Sequence, residues 1–428
     1  MLELVVIADD LTGAADTGVQ FRPLFVPVYL VDRRFLSIDS FGEPPQALSI
    51  FTASRGLPPA DAHRVVTEVC RAFGRHAPRR VYKKIDSAMR GNIGAELEAV
   101  MDVLDISMSF IAPAYVEQGR TTVGGVHCIH GTPVARTEMR RDPIAPVCES
   151  RLPEWIGRQA HLPIAHISLD VLNQGAAAAV AAIDRAAGSG VRHFTFDAAV
   201  PEDLDRIAHL ALNHYPQALL CGSAGLAKSM ARALGRHQPH PHPVWRLVDE
   251  PPAGHWLFAC GSASERLRRQ VQVLDEQANA GVVALDPAGH ASGHPLENWA
   301  AAIRRAASQL AANDLVMTLA PPSADTSLAD SDRLLAVFAD AVHSVIAAVR
   351  PAGLFLSGGD TALAVLERLG ARGIRLECEM ASGLVFGRLV GGAMEGMPVV
   401  TKAGAFGPPD ALLKLKEALS GACEFGRL

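Results

Sequence analysis

The stretch VVIADDLTGAADTG, residues 5–18, changes from apolar to polar at two adjacent aspartates. The apolar run 4–8 predicts a buried parallel strand, and the residues from Ala14 onward can start a helix. In an open α/β sheet, ligands bind at the carboxyl ends of the strands. Two adjacent carboxylates there repel each other unless a ligand, a cation or a basic partner offsets their charge. The stretch therefore predicts a site for a metal, a sugar hydroxyl or a basic side chain.

The strand-to-helix alternation continues through most of the 428 residues. This pattern predicts mostly parallel sheets flanked by helices, and the length predicts more than one domain. The Pro- and His-rich stretch RHQPHPHP, residues 236–243, is typical of an extended linker, although its histidines could also bind a metal. We therefore predict an α/β protein with a first domain over 1–235, a linker over 236–254 and a second domain over 255–428.

The composition excludes several classes of partner. Forty basic and 45 acidic residues give a net charge of −5 without a dense basic tract, so we expect no nucleic-acid partner. The seven cysteines are scattered and form no CxxC pair, as is typical of a reduced protein. The first apolar run ends at two aspartates, unlike a signal peptide, and no apolar segment is long enough for a bilayer. We expect a cytoplasmic protein that does not act at a membrane.

Three strand-to-helix turns of the second half share glycines and small residues. They are GSAS at 261–264, SGGDT at 357–361 and KAGAFG at 402–407. Glycine lets the backbone approach a ligand closely, and hydroxyl and N–H groups at a helix start bind anions. Each turn alone is weak evidence, but the three together favour a nucleotide phosphate site. The chain has neither a G-x-x-x-x-G-K-[ST] sequence nor a G-x-G-x-x-G after its first strand, which argues against P-loop and dinucleotide folds.

The polar residues after the predicted strands of the first half have a different character. They are Asp9, Asp10, Arg55, Lys83, Lys84, Asp86, Ser87 and Arg90. Cations that include an arginine can clamp a carboxylate, while carboxylates and hydroxyl groups suit the hydroxyls of a polyol. The set predicts a site for a small hydroxylated acid. Ion pairs that only fix loops explain any single residue equally well.

The segment 113–150 is rich in Gly, Pro, Thr and charge. Loops of this length are often functional, and we interpret it as a loop that covers a site. Its Cys128-Ile129-His130 has the spacing of a metal-ligand pair. Because no second pair lies nearby, we interpret His127 and His130 as structural.

Six motifs together resemble the four-carbon acid sugar kinase family, which was long a family of unknown function. They are IADDLTGAADTG (7–18), YKKIDSAMRGNIGAEL (82–97), PAYVEQGRTTVGGVH (113–127), TEMRRDPIAPVCES (137–150), LFLSGGDTA (354–362) and VTKAGAFG (400–407). The resemblance implies an ATP-dependent kinase whose N-terminal domain binds a sugar acid and whose C-terminal domain binds the nucleotide, with the active site in the cleft between them. It implies transfer to the terminal hydroxyl of D-threonate, D-erythronate or 3-oxo-tetronate, with D-threonate as our first expectation.

The resemblance also implies roles for individual residues. The sugar-acid site would comprise Asp10, Arg55, Lys84, Ile85, Asp86 and Ser87, and from its charge we add Arg90. The nucleotide site would comprise Ser262 or Ser264, Ser357, Gly358, Gly359, Asp360 and Gly404. We expect Mg²⁺ with the phosphates, and the sequence does not identify its ligands. The candidates for the carboxylate that takes the hydroxyl proton are Asp10, Asp86 and Asp360. A homodimer is compatible with the sequence.

Two other classes stay open on the sequence alone. A phosphatase of the haloacid dehalogenase type also begins with a strand followed by acidic residues and Thr, but its mechanism needs D-x-D, and Asp9 and Asp10 are adjacent. It would release phosphate from a phospho-acid without ATP. A sugar-acid sensor without catalysis would leave the three glycine turns without a purpose. It would be stabilised by sugar acid and never by ATP analogues.

Overall fold

The computed structural model describes residues 1–36, 41–235, 254–262, 264–278, 280–285, 295–319, 328–404 and 406–420. Two compact units divide the chain, Met1–Pro241 and His242–Leu428, and are called the N-terminal and C-terminal units below. The predicted linker 236–254 lies outside the described residues except for Gly254. The predicted domain limits stay a prediction. None of the described helices has the length and apolar character required to cross a membrane.

The N-terminal unit contains a large sheet and helices that pack on it. The strands of this sheet are β1 (Leu4–Ala8), β2 (Val28–Asp32), β3 (Ala47–Phe51), β4 (Arg80–Lys84), β5 (Ser109–Ala112), β9 (Ile164–Ile167), β10 (His193–Phe196) and β11 (Leu219–Gly222). The helices are α1 (Leu11–Gly18), α2 (Pro59–Gly74), α3 (Ile93–Leu104), α4 (Leu152–Gly157), α5 (Leu169–Asn173), α6 (Ala176–Gly188), α7 (Pro201–His214) and α8 (Ala224–Gly235).

The strand order of this sheet is β2-β3-β1-β4-β11-β5-β10-β9, and every recorded pair is parallel. The central strands β1 and β3 are buried along their whole length, as expected for a sheet covered by helices on both faces. Helix α2 buries one face, on which Val65, Val66, Val69 and Phe73 recur at helical spacing. The predicted α/β class and parallel sheet are confirmed here.

The segment 113–150, expected to be a loop, forms a small antiparallel sheet instead. Its strands are β6 (Arg120–Val123), β7 (Val126–Ile129) and β8 (Thr132–Pro133), in the order β6-β7-β8. Gly124 and Gly125 both have positive φ, 57° and 75°, between the paired Val123 and Val126. A two-residue hairpin turn needs positive φ at both central positions, so the Gly-Gly pair was the signal for strands here.

The C-terminal unit is a second α/β unit. Its strands are β12 (Trp256–Cys260), β13 (Gly281–Leu285), β14 (Leu315–Leu319), β15 (Gly353–Ser357), β16 (Gly373–Ala381), β17 (Leu384–Val390) and β18 (Pro398–Lys402). Its helices are α9 (Glu265–Ala278), α10 (Pro295–Leu310), α11 (Leu328–Ala348), α12 (Gly359–Arg368) and α13 (Ala411–Leu419).

The strands of this unit are ordered β13-β14-β12-β15-β18-β17-β16, parallel up to β18 and antiparallel beyond it. The mostly parallel sheet is as predicted, but the hairpin β16–β17 was not predicted. Alternate residues of β16 are buried, among them Leu376, Cys378 and Met380. This period of two is typical of a half-buried strand. Gly383, with a φ of 76°, lies between the two strands.

Candidate active site

The carboxyl ends of three adjacent strands lie level in the N-terminal unit. Ala8 at the end of β1 is in register with Phe51 of β3 on one side and with Lys84 of β4 on the other. The chain order also reverses at β1, with β2 and β3 on one side and β4 and later strands on the other. Ligands of open α/β sheets bind at such a reversal, beyond the carboxyl ends. The polar residues that follow these strands therefore form the first half of the candidate site.

Asp10 begins helix α1. Its backbone is extended, and its Oδ1 accepts the N–H of Gly13 at 3.1 Å while its Oδ2 accepts the Thr12 hydroxyl at 2.9 Å. An aspartate is favoured there because it satisfies a free N–H and meets the positive end of the helix. A Cβ on Gly13 would lie 2.4 Å from Asp10 Oδ1, so only glycine fits at that position. The carboxylate is held by the helix start, and 18% of its side chain stays exposed.

Arg55 is the basic partner of the two adjacent aspartates. Its Nε and Nη2 donate to Asp9 at 2.7 and 3.0 Å, and Nη2 lies 2.9 Å from Asp10 Oδ1. Burial raises the pKa of Asp9, but Arg55 outweighs burial and brings that pKa below its usual value. Conversely, burial opposes the charge of Arg55, yet Asp10, Asp9 and Asp86 hold its pKa well above the usual value. Arg55 is thus engaged by the protein's own carboxylates.

Asp86 and Arg90 form a second ion pair beside the first. Arg90 Nε donates to Asp86 Oδ2 at 2.8 Å, and its Nη1 donates to Asp142 at 3.0 Å. Burial would raise the pKa of Asp86, but Arg90 and Arg55 hold it well below its usual range. Asp86 Oδ1 lies 4.0 Å from Arg55. The predicted residues Asp10, Arg55, Asp86 and Arg90 therefore belong to one connected network.

A fully buried ion pair lies next to this network. Lys83 Nζ is 2.8 Å from Glu96 Oε2 on α3, and their side chains are 0% and 1% exposed. The other oxygen of Glu96 accepts the Ser54 hydroxyl at 2.6 Å, one residue before Arg55. Burial raises the pKa of Glu96, whereas Glu96 and Asp9 raise the pKa of Lys83 against the opposing effect of burial. The pair ties β4 and α3 to the segment that carries Arg55.

Lys84 differs from the other cations of the site. It is only 4% exposed, and its Nζ would lie 2.7 Å from a Cβ placed on Gly13, which puts the ammonium against the start of α1. Among the residues that the structure describes, no carboxylate lies within 4.0 Å of this ammonium and no oxygen accepts a hydrogen bond from it. The charges of Asp9 and Asp86 act on this ammonium only over a longer distance. A buried ammonium without a direct ion pair is costly, so Lys84 is a candidate for binding an anionic group of a ligand.

The small antiparallel sheet and the residues around it contact the Ser87–Arg90 turn. His127 Nε2 lies 2.8 Å from the Ser87 carbonyl, and Trp155 Nε1 donates to the Met89 carbonyl at 2.8 Å. Burial lowers the pKa of His127 to about 4, so the ring is neutral and its Nε2–H donates to the carbonyl. The side chain of Ile85 is buried and apolar, so only its backbone could serve a ligand. The expected covering segment thus supports the turn from one side.

The three glycine turns of the C-terminal unit converge. Their strands β12, β15 and β18 are neighbours in the sheet. A Cβ on Gly404 would lie 2.5 Å from the Ser262 hydroxyl, and one on Gly358 would lie 3.0 Å from Ser262 Cβ. Ser262 Oγ also accepts the N–H of Ser264 at 3.3 Å. Ser262 is therefore the residue at which the predicted nucleotide turns meet.

Two helices start from these turns. Helix α9 begins at Glu265, one residue after Ser264, and α12 begins at Gly359, with Asp360 in its first turn. Ser357, at the end of β15 just before α12, is fully buried, and its hydroxyl has no hydrogen-bond partner among the described residues. Helix starts, glycines in close contact and an unsatisfied hydroxyl are features that favour a phosphate group.

The described residues contain no group of three or more His, Cys, Asp or Glu arranged to hold a metal ion. Cys128 and His130 therefore have no such set around them, and the linker histidines lie outside the described part of the chain. Mg²⁺ in phosphoryl-transfer sites commonly binds through one or two carboxylates together with the substrate's phosphates, so no preformed cage is required.

Comparisons with known proteins agree with this division of the chain. A family model described as a sugar-binding N-terminal domain matches residues 4–230, and one described as a nucleotide-binding C-terminal domain matches residues 257–412. A D-threonate kinase of Salmonella typhimurium is 32% identical over 442 residues, which cover 98% of this chain and 100% of the relative. The chain belongs to the four-carbon acid sugar kinase family.

Other relatives in this kinase family differ in their named substrates. A D-erythronate kinase of Heliobacterium modesticaldum is 29% identical, covering 96% of this chain and 95% of the relative. A 3-oxo-tetronate kinase of Methylobacterium radiotolerans is 28% identical, covering 96% and 97%. A solved structure of a chain from Salmonella typhimurium has the same fold as this chain, with a TM-score of 0.81 and 23% sequence identity. The match covers 98% of this chain and 100% of the solved chain.

Two residues of the candidate site were not identified from the sequence. Glu96 and Asp142 complete the ion pairs of Lys83 and Arg90. Glu96 could have been noticed, since it lies in the otherwise apolar face of the helical stretch after Gly94. Asp142 carries no local signal, because its partner is 52 residues away in the sequence.

Proposed function

We propose that this member of the family transfers the γ-phosphoryl group of ATP to the terminal hydroxyl of a four-carbon sugar acid, with D-threonate as the first candidate. The nucleotide-binding domain argues against the phosphatase and the sensor. Relatives named D-threonate kinase reach 32% identity, slightly above those named for D-erythronate or 3-oxo-tetronate.

The observation that supports this proposal most is the buried ammonium of Lys84, which among the described residues has no carboxylate within 4.0 Å and interacts with Asp9 and Asp86 only over a longer distance. An ammonium at the start of α1 suits the carboxylate of a sugar acid, because the helix start also favours a negative group. The carboxylates beside it, above all the partly exposed Asp10, accept hydrogen bonds from hydroxyl groups. A carboxylate at one end and hydroxyls along the chain are the features of an aldonic acid.

Arg55 takes a different role in this proposal from the one expected of it. The sequence placed it in a set of cations that could clamp a carboxylate, with an ion pair that fixes a loop as the open alternative. In the structure its donors engage Asp9 and Asp10. We assign it to fixing these carboxylates in place, which leaves Lys84 to bind the substrate's carboxylate. Arg90, paired with Asp86 and Asp142, would orient the turn in the same way.

The residues of the C-terminal unit fit a nucleotide. Gly404 and Gly358 pack closely against Ser262, which brings the glycine turns together, and the unsatisfied Ser357 hydroxyl suits a phosphate oxygen. Mg²⁺, when bound with ATP, would neutralise phosphate charge. Asp360, in the first turn of α12, is a carboxylate of this unit that could bind such a cation.

The acceptor hydroxyl must lose its proton during transfer. Asp86 is a poor acceptor, because Arg90 and Arg55 keep its pKa well below the usual range. The candidates that remain are Asp10 and Asp360. Asp10→Asn and Asp360→Asn, each assayed for turnover and for ATP binding, separate them: the base variant loses turnover and keeps ATP binding. Near-normal turnover of both variants would contradict this assignment.

The direct test is a coupled ATP-consumption assay over D-threonate, D-erythronate and 3-oxo-tetronate, with and without MgCl₂. We expect magnesium-dependent turnover, fastest with D-threonate. Lys84→Met should lower kcat/KM for the acid about 100-fold, since a charge-assisted hydrogen bond contributes about 3 kcal/mol. Lys414→Met, which removes an exposed lysine of α13 paired with Asp410, is the matched control. Lack of turnover with every acid, or an unaffected Lys84→Met enzyme, would refute the proposal.

A further inference from the structure

The turn after β18 has its carbonyl oxygens bound by two buried side chains. Lys402 Nζ donates to the carbonyls of Ala403, Gly404 and Phe406 at 3.0, 3.3 and 3.0 Å. Gln270 Nε2, from α9, donates to those of Phe406, Gly407 and Pro408 at 3.0, 3.2 and 2.9 Å. Lys402 and Gln270 are both 0% exposed. Neither residue has a role in the function proposed above.

This arrangement decides which side of the turn is free to bind a ligand. In a trans peptide, the C=O and N–H groups point in opposite directions. Because the Ala403 carbonyl points at Lys402, the N–H of Gly404 points away from it. Among the described residues, no group accepts a hydrogen bond from this N–H. The same Gly404 lies against Ser262, where the glycine turns meet.

We propose that Lys402 and Gln270 are positioning residues for the nucleotide: by binding the carbonyls of the 403–408 turn from behind, they present its N–H side to the phosphates. The inference rests on the proposed function of this turn as part of the nucleotide site. Gln270 also links two of the turns, because its helix α9 starts directly after the Ser262–Ser264 turn. A substitution of Gln270 should therefore weaken binding of the nucleotide and leave binding of the sugar acid unchanged.

Lys402 adds a pH signature. Burial lowers its pKa to about 8, with Cys260 of β12 opposing and Arg266 of α9 assisting this shift. Burial raises the pKa of Cys260 to about 12, so the thiol stays protonated where Lys402 titrates. A neutral amine is a weaker donor with one N–H fewer than an ammonium. The hydrogen bonds from Lys402 to the carbonyls of the turn should thus weaken as the pH rises above about 8.

The experiment measures ADP and D-threonate binding separately, by calorimetry on the full chain, for the wild type, Gln270→Met, Lys402→Met and the control Gln272→Met. Gln272 is an exposed glutamine on the same helix that bonds only side chains of α9. We expect Gln270→Met and Lys402→Met to raise the Kd for ADP about 10-fold, with the Kd for D-threonate changed less than two-fold. Gln272→Met should bind both ligands as the wild type does.

Binding of ADP by the wild type should weaken about three-fold or more between pH 7.5 and pH 9, and Lys402→Met should lose this dependence. Equal weakening of both ligands would indicate a general loss of structure and would overturn the inference. So would variants that bind ADP as the wild type does, or a pH dependence that persists in Lys402→Met. ADP binding does not require phosphotransfer, so a failure of the proposed kinase reaction is seen separately.

Discussion

The buried pair Lys83–Glu96 allows a quantitative prediction about what holds the sugar-acid site together. Lys83→Met removes the ammonium and leaves the Glu96 carboxylate buried, with the Ser54 hydroxyl as its remaining side-chain donor. Breaking a buried ion pair by removing one partner destabilises a protein by about 3–5 kcal/mol, because an uncompensated charge stays inside. Removal of both charges by an apolar pair of similar volume is often close to neutral.

Lys83→Met should accordingly lower the free energy of unfolding of the N-terminal unit by about 4 kcal/mol, and Lys83→Met/Glu96→Leu should recover at least half of this loss. The double variant also loses the Glu96 acceptor of Ser54, which precedes Arg55, so Thr52 Oγ1 is the side-chain partner that Ser54 keeps. We therefore expect it to fold and yet to bind D-threonate more weakly than the wild type. Function and stability should separate in this variant.

The assay is urea unfolding of the full chain, in which the transition of the N-terminal unit is identified by its shift in D-threonate. The matched control is Lys228→Met, which breaks a half-exposed pair with Glu117 and should cost less than 1 kcal/mol. Our reasoning is refuted if Lys83→Met costs no more than the control, or if the double variant is less stable than the single one.

Two further predictions concern the Gly404 turn and the buried ring of His127. Gly404→Ala places a Cβ 2.5 Å from the Ser262 hydroxyl and should weaken ADP binding at least 10-fold. The control Gly188→Ala, which has open space around it, should leave ADP binding unchanged. Equal binding by both variants would contradict the convergence of the three glycine turns on Ser262. His127 has a folded-state pKa of about 4 against about 6.5 when unfolded, so protonation of the unfolded chain should remove up to about 3 kcal/mol of stability as the pH falls from 6.5 to 4. His127→Gln should show a flatter dependence in acid unfolding, and a slope equal to that of the wild type would show that His127 is not buried as a neutral ring.

The sequence predicted the α/β class, the parallel sheets and most residues of the candidate site, because these depend on local patterns. A buried strand that ends in polar residues can be found in a short window, and so can a turn with two glycines. The sequence could not show that Arg55 would be engaged by Asp9 and Asp10, since the contact joins residues 46 positions apart. The hairpin β16–β17 was missed although its alternation was present, and the small sheet was missed although Gly124-Gly125 marked its turn.

The charges of the sugar-acid site also explain how such a site could tell substrate from product. This network, the adjacent Lys83–Glu96 pair and Lys84 together contain five carboxylates and four cations. The carboxylates are those of Asp9, Asp10, Asp86, Glu96 and Asp142, and the cations are Arg55, Lys83, Lys84 and Arg90. A sugar acid has a single negative charge, which Lys84 can neutralise, and hydroxyl groups that can donate hydrogen bonds to the carboxylates. Its phosphorylated product brings about two further negative charges into the same surroundings. In the proposed reaction, repulsion by the excess carboxylate would favour release of the product over release of the substrate.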